Sequence, residues 1–459
     1  MYDDLKSKIE ALLPTLRAEL EALVRIPSVS APSFDAAEVR RSAETTAELL
    51  RGAGYRDVRL LEHADAHPAV FGEVPGPAGA PTVLLYAHHD VQPPGEDDGW
   101  DTEPFEPEER DGRLYGRGSS DNKAGVVGHA GVLRAYDGAP PVNLKVFIEG
   151  EEEIGSANLP GFLAEHGDLL AADVIVIADS GNWRVGVPAL TTSLRGLVSA
   201  KIEVKVLQAG VHSGQFGGAV PDALTILCRV LASLHDASGE VAVPGLVTGD
   251  ADPLDLTEEE LRSQAGVLPG VELIGSGNLT SRLWMKPAAA VLAIDAPPVA
   301  KAINQLIPRA TAKVSVRLAP GDLPDRAMKS LVAHLESQPA WGAEVTVTPW
   351  ESGAPFALGG EDSRVDAFRA AFAEAWGRQP VDMGVGGSIP FVAAFSDAYP
   401  EAAIVLTGAA DPTSRAHGPN ESLDLDDWQK SIVAEAIALR LLGESRTKSQ
   451  DLDNDSLDS

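Results

Sequence analysis

Residues 82–94 read TVLLYAHHDVQPP. The first six, TVLLYA (82–87), form a continuous apolar run. Strands apolar on both faces belong to buried, mostly parallel sheets covered by helices. His88 and Asp90 follow at once, where such a strand ends, and open α/β sheets place their ligands at that end. His-x-Asp on an extended segment sends both side chains to one side, while His89 points the other way. An imidazole ligand needs an orienting partner for its second nitrogen, and Asp90 can be that partner. Taken alone, a loop histidine and a turn-capping aspartate read equally well.

The same grammar recurs outward from this segment. LKVFI (144–148), DVIVIA (173–178) and EAAIVLTG (401–408) are further buried runs. Helical patterns over 3–25, 36–53, 123–136, 364–377 and 425–443 accompany them, which is α/β organisation. Between about 195 and 352 the pattern changes. In SAKIEVKV, Ile202, Val204 and Val206 alternate with Lys201, Glu203 and Lys205. TAKVSVRL (311–318) and AEVTVTPW (343–350) do likewise, as in an antiparallel sheet with one wet face. Helices near 221–236 and 324–338 are predicted to cover the other face, with Pro221 and Asp222 as a start signal. Residues 240–290 read as irregular. The expected fold is a discontinuous, mostly parallel α/β domain, 1–194 and 353–445, with an inserted α+β domain at 195–352. SRTKSQDLDNDSLDS closes the chain as an acidic tail, predicted disordered over 446–459.

Composition narrows the function classes. The net charge of −31 opposes nucleic-acid binding. No run approaches the ~20 apolar residues of a membrane span, and the charged amphipathic start does not resemble a secretory signal. The single cysteine, Cys228, excludes an intramolecular disulfide framework and is predicted buried among ALTILCRVLASL. A cytoplasmic location is expected.

More acids stand where apolar strands end. Asp121 lies in LYGRGSSDNKAG before a helix, where capping is the plain alternative. Glu149, Glu151, Glu152 and Glu153 crowd FIEGEEEIGS, and Asp179 ends the third run in IADSGNW. Crowded carboxylates repel one another unless something positive is present. Metal ions would remove that repulsion, and Glu152 and Glu153 can then divide into one ligand and one general base. His417, in SRAHGPNES, has a claim only through the set. Two divalent ions against Asp121, Glu153 and Asp179, with neutral His88 and His417, leave one positive charge, which suits a hydroxide or a developing oxyanion. Metal-assisted hydrolysis is the expected chemistry.

The motifs YAHHDVQP, GRGSSDNKAG and EGEEEIGS occur in the order found in the M20 family of metallopeptidases, and the chain resembles its carnosinase-like dipeptidase branch over about residues 10–440. Ala124 stands where glycine is frequent. The resemblance implies that Asp121 bridges two divalent ions, zinc first, with manganese or cobalt as alternatives. It implies His88 and Asp179 on one ion, Glu153 and His417 on the other, Glu152 as general base and acid on the bridging water, and Asp90 as the orienter of His88. His212, in GVHSGQFGG, matches a histidine that acts in trans across a homodimer. Arg317, in VSVRLAP, with Gly387 and Ser388 of GVGGSIP, matches the clamp for a substrate carboxylate. The inserted domain corresponds to a lid and dimerisation domain. A dipeptide or short peptide with a free C-terminal carboxylate is the implied substrate. N-acyl-amino-acid amidohydrolases and glutamate-type carboxypeptidases use the same site, and a metal scaffold without turnover would have no need of Glu152.

Overall fold

The computed structural model describes residues 2–95, 99–387 and 389–457. They divide into two units: Met1–Thr191 with Leu358–Met383 and Ala394–Ser459, and Thr192–Ala357 with Gly384–Ala393. The sequence reading assigned the whole return segment after 352 to the first domain. Residues 384–393 instead group with the second.

The first unit is built on one twisted sheet. Its central strands Asn143–Glu149, Thr82–His88, Val174–Ile177 and Ala403–Leu406 lie side by side and parallel. Arg56–Leu61 and Ala69–Val74 extend it antiparallel beyond Asn143–Glu149. Ala189–Leu194 pairs antiparallel with Ala403–Leu406 at the other side and carries the chain toward the second unit. The apolar runs earn their burial: Val83–Ala87 and Val174–Ile177 are fully enclosed, as a strand covered on both faces must be.

This order sets the position of the site. From Thr82–His88 the chain crosses through helix Lys123–Ala135 to the neighbour on one side, Asn143–Glu149, and then returns to the neighbour on the other, Val174–Ile177. The direction of winding therefore reverses at Thr82–His88. Loops leaving the carboxyl ends of strands at such a switch point diverge and leave a crevice between them. His88 is the last residue of the switch strand.

Helix Lys123–Ala135 is almost wholly buried. Small residues make this close packing feasible. A Cβ at Gly131 would sit 2.8 Å from Leu16 Cδ1 of helix Asp3–Val24, and one at Gly125 would sit 3.2 Å from Ala87 Cβ of the switch strand. Lys123 Nζ donates to Leu23 O at 2.8 Å and Ile26 O at 2.7 Å, capping the end of the first helix from inside the protein. Burial draws this ammonium down to about 7.

The second unit has a four-stranded antiparallel sheet in the order Ala288–Asp295, Arg309–Leu318, Gly196–Lys205, Glu344–Gly353. Ile202 and Val204 face helices Ala223–Ala232 and Pro324–Glu336 in a separate core, as the alternation predicts. Asp222 caps its helix by accepting from Thr225 N at 3.0 Å.

Three expectations are corrected. Cys228 is exposed, because Ala223, Ile226, Leu227, Val230 and Leu231 fill the buried face and position 228 falls beside it. The 240–290 stretch holds helix Glu258–Ala265, started by a Thr257–Glu260 capping box, and leads into strand Ala288–Asp295. That strand escaped detection because its apolar residues face outward rather than alternating. Finally, the closing helix runs Leu425–Leu457, past the end at 443 that the sequence suggests. Gly443 is needed for close approach, since a Cβ there would meet Pro141 O at 2.7 Å. No proline follows it, and an established helix elongates cheaply.

Candidate metal centre

Seven of the residues singled out above converge at the carboxyl ends of the parallel strands of the first unit. His88 is enclosed, and its Nε2 lies 3.0 Å from Asp121 Oδ1, 3.5 Å from Asp179 Oδ1 and 3.9 Å from Glu152 Oε2. His417 Nε2 lies 3.0 Å from Asp121 Oδ2 and 3.1 Å from Glu153 Oε2. Asp121 thus turns one oxygen toward each imidazole. Behind His88, its Nδ1 faces Asp90 O at 3.1 Å and Asp90 Oδ1 at 3.3 Å. The Asp90 carboxylate also accepts from Glu152 N at 3.2 Å and Glu153 N at 3.1 Å, so one buried aspartate orients the histidine and anchors the glutamate turn.

The acidic run splits by direction. Glu149 accepts from Tyr86 Oη at 2.6 Å within the core, and burial lifts its carboxyl to about 7. Glu151 accepts from Asn158 N at 2.9 Å and from Asn158 Nδ2 at 3.2 Å. Only Glu152 and Glu153, on the short turn Glu152–Ile154, face the cluster. Four mutually repelling acids were expected; two of them turn to donors of their own. His89 likewise turns away, its Nε2 bonding Pro68 O at 2.9 Å.

Sequence reasoning missed several supporting groups. Gln92 holds Glu153 twice, through its backbone N at 3.1 Å and Nε2 at 2.9 Å. Asn122 Nδ2 donates to Asp179 Oδ1 at 2.7 Å. Glu421 accepts from the loop carrying Asp121. A glutamine and an asparagine beside candidate ligands offered a weak signal; Glu421, read as part of a loop, offered none.

The electrostatics suit cations. Among the described residues, the ion-pair partners of Asp121, Glu152, Glu153 and Asp179 are the two histidines alone. Burial, reinforced by the charge of Asp179, holds Glu152 well above the usual carboxylate range. Burial and Asp121 lift Glu153 to about 6. Burial would also raise Asp121, but hydrogen bonds from His417 and His88 outweigh it and hold its carboxyl low. Hydrogen bonds that Asp121 and Glu153 accept from it push His417 up to about 10. The donor atoms of His88, Asp121 and Glu153, and those of His88, Glu152 and Asp179, each lie within 4.8 Å of one another. Two imidazoles with carboxylate oxygens at this spacing fit zinc, manganese or cobalt.

Of the remaining residues, His212, Arg317 and Gly387 belong to the second unit, and Ser388 lies outside the described residues. His212 is exposed, and its Nδ1 accepts from Gly214 N at 3.1 Å. Arg317 lies on strand Arg309–Leu318, opposite Leu197 and Ala288.

A parallel sheet with a carboxylate and imidazole cluster at its switch point has the donor set of a metal-dependent hydrolase. The profile of peptidase family M20/M25/M40 matches residues 84–440, and the chain belongs to that family. It is a peptidase, and its relatives set it in the carnosinase-like dipeptidase branch. It is 36% identical to a cysteinylglycine-S-conjugate dipeptidase of Corynebacterium striatum over 84% of this chain and 87% of the relative. It superposes on human carnosine dipeptidase 1 with a TM-score of 0.77 at 26% identity, covering 96% of this chain and 99% of the other. The corresponding values for an M20 family metallo-carboxypeptidase from Sulfolobus solfataricus are 0.79, 25%, 93% and 99%.

His89 yields a pH prediction. Burial first of all holds this imidazole down at about 4, against 6.5 in the unfolded chain. Between those values the unfolded state binds more protons, so the contribution is complete above 6.5 and is lost as pH falls toward 4. By pH 5 the loss is about 2 kcal/mol. Urea denaturation at pH 7.5 and pH 5 is expected to show wild type losing that much more stability than His89→Gln; equal losses would remove the assignment.

Proposed function

We propose that this protein is a metal-dependent dipeptidase acting on dipeptides or short peptides with a free C-terminal carboxylate, with two divalent ions, zinc foremost. The observation that carries this reading is Asp121, whose two oxygens face two different imidazoles while Glu152 stands beside them. His88 and Asp179 would hold one ion, Glu153 and His417 the other, and Asp121 both. When bound, the ions supply Lewis acidity, polarising the scissile carbonyl and acidifying water.

The protein's own groups do the rest. Glu152 is the farthest of the three carboxylates from His88 Nε2, which suits a proton carrier rather than a ligand. It accepts the proton of the attacking water at its carboxylate and passes it to the leaving amine, the usual double duty of one acid/base group. Asp90 keeps the Nδ1 side of His88 engaged and leaves Nε2 toward the cluster. Arg317, with Gly387 and Ser388, grips the substrate carboxylate, a task for which a planar guanidinium is well shaped, and His212 stabilises the developing oxyanion from the partner copy.

Glu152→Gln is expected to retain two ions by elemental analysis while kcat falls by about two to four orders of magnitude. Near-normal turnover on a panel of dipeptides, set beside N-acetyl amino acids and longer peptides, would remove Glu152 from the mechanism. The panel itself separates dipeptidase, amidohydrolase and carboxypeptidase.

A homodimer is part of the proposal. Strand Ala288–Asp295 is a sheet edge that exposes Val291, Leu292 (57%) and Ile294. An uncovered apolar edge of this kind invites pairing with another strand, and a second copy offers the same edge about a twofold axis. Leu292→Lys is expected to shift the sedimentation coefficient toward the monomer; an unchanged dimer would place the interface elsewhere. If His212 acts in trans, mixing inactive His212→Ala and Glu152→Gln proteins restores part of the activity through heterodimers. No recovery after demonstrated subunit exchange would count against it.

A further inference from the structure

The two loops that carry Asp121 and His417 meet on a single buried side chain, Glu421. Its Oε2 accepts from Arg117 Nη1 at 2.6 Å and from Gly118 N at 3.0 Å. Its Oε1 accepts from Ser120 N and Asp121 N, both at 3.0 Å, and from Ser120 Oγ at 3.3 Å. Three backbone N–H groups of one loop thus converge on one carboxylate, an anion-binding nest of the kind successive turn residues form. Gly118 makes the nest feasible. Its φ is +82°, and a Cβ there would lie 2.6 Å from Val91 Cγ1.

We propose that Glu421 is a positioning residue of the metal centre, fixing the backbone of Asp121 so that each carboxylate oxygen meets its own ion. This rests on the two-ion reading above. Glu421 sits four residues after His417, so the same short segment supplies one ligand and orients the bridging one. Asp121 donates through its own N–H, which leaves its side chain free to face the histidines. A small rotation of that peptide would move both Asp121 oxygens at once. Gln92, by contrast, touches only Glu153 among the ligands, so its influence is confined to one ion.

The charge on Glu421 is required by its donors. Both oxygens are engaged, each by two donors or more, and Arg117 is 1% exposed. A glutamine is an isostere but must place an NH2 against N–H or guanidinium donors whichever way it turns. A buried arginine left without its carboxylate is costly as well.

The test titrates the full-length protein with Zn2+ against a chromogenic chelator and follows Co2+ substitution by visible absorption. Glu421→Gln is expected to bind both ions about 10- to 100-fold more weakly, the usual consequence of losing an outer support, with an altered Co2+ spectrum. Glu421→Asp, which keeps the charge on a shorter arm, is expected to fall between it and wild type, and it decides the matter if the glutamine variant does not fold. Glu435→Gln serves as a control for stability alone, because Glu435 is a buried partner of His129 and takes part in none of these bonds. It should lower the denaturation midpoint and leave zinc affinity unchanged. Folded Glu421 variants that bind both ions within twofold of wild type would overturn the role of Glu421. A wild type that takes up no metal would overturn the two-ion reading itself.

Discussion

Several carboxylates are packed together at the carboxyl edge of a parallel sheet, and their mutual repulsion is the constraint the rest of the first unit answers. Two like charges about 4 Å apart at an effective dielectric of about 20 oppose each other by about 4 kcal/mol. A single hydrogen bond contributes about 1 kcal/mol, so one donor per acid is not enough. Asp90 meets the difficulty with two backbone amides and a histidine, and Glu421 with three amides and an arginine. Glu149 and Glu151 turn out of the cluster toward donors of their own. Glu152 and Asp179 keep raised proton affinities, burial being the main cause in both. This is the arrangement a dication pair would relieve, and it leaves a glutamate able to carry a proton.

Topology explains why the crowding occurs where it does. The winding reverses at strand Thr82–His88, and three chain segments leave the sheet there in diverging directions. Each contributes acids or an imidazole within a few residues of the strand end. Asp121 and His417 come from loops instead, and Glu421 ties those loops together just beyond the point where strands Arg113–Tyr115 and Ser422–Asp424 pair. Arg415, His417 and Asn420 all adopt left-handed backbone angles, a conformation with a cost of order 1–3 kcal/mol for side chains of this kind, maintained only where surroundings dictate it. The bonds around Glu421 are part of those surroundings.

The second unit obeys different physics. Its sheet is antiparallel with helices on one face, so its strands alternate and its edges are open. Ala288–Asp295 is apolar up to Ile294 yet exposed from Ala290 onward, an expensive feature for a strand that stays uncovered. The same residues misled a reading based on alternation, because that rule assumes that apolar side chains point inward.

The amino-acid sequence alone determined the two strand grammars, the helices read at 3–25, 36–53, 123–136, 324–338 and 364–377 within a residue or two, and the site candidates His88, Asp121, Glu152, Glu153 and Asp179. These were legible because local periodicity reports burial and because acids at the ends of apolar runs are conspicuous. His417 was legible only through the set it completes, and His212 and Arg317 only through resemblance to a family, since a loop histidine or a strand arginine has no local signature. Tertiary structure alone decided which acids of the 149–153 run face the cluster, that Gly443 serves close packing rather than a helix stop, and that Glu421 supports Asp121. Those outcomes depend on partners outside the local repeat, from Asn158 for Glu151 and Tyr86 for Glu149 to Asp121 for Glu421 and Pro141 for Gly443, and periodicity reports burial but not the donors around a side chain.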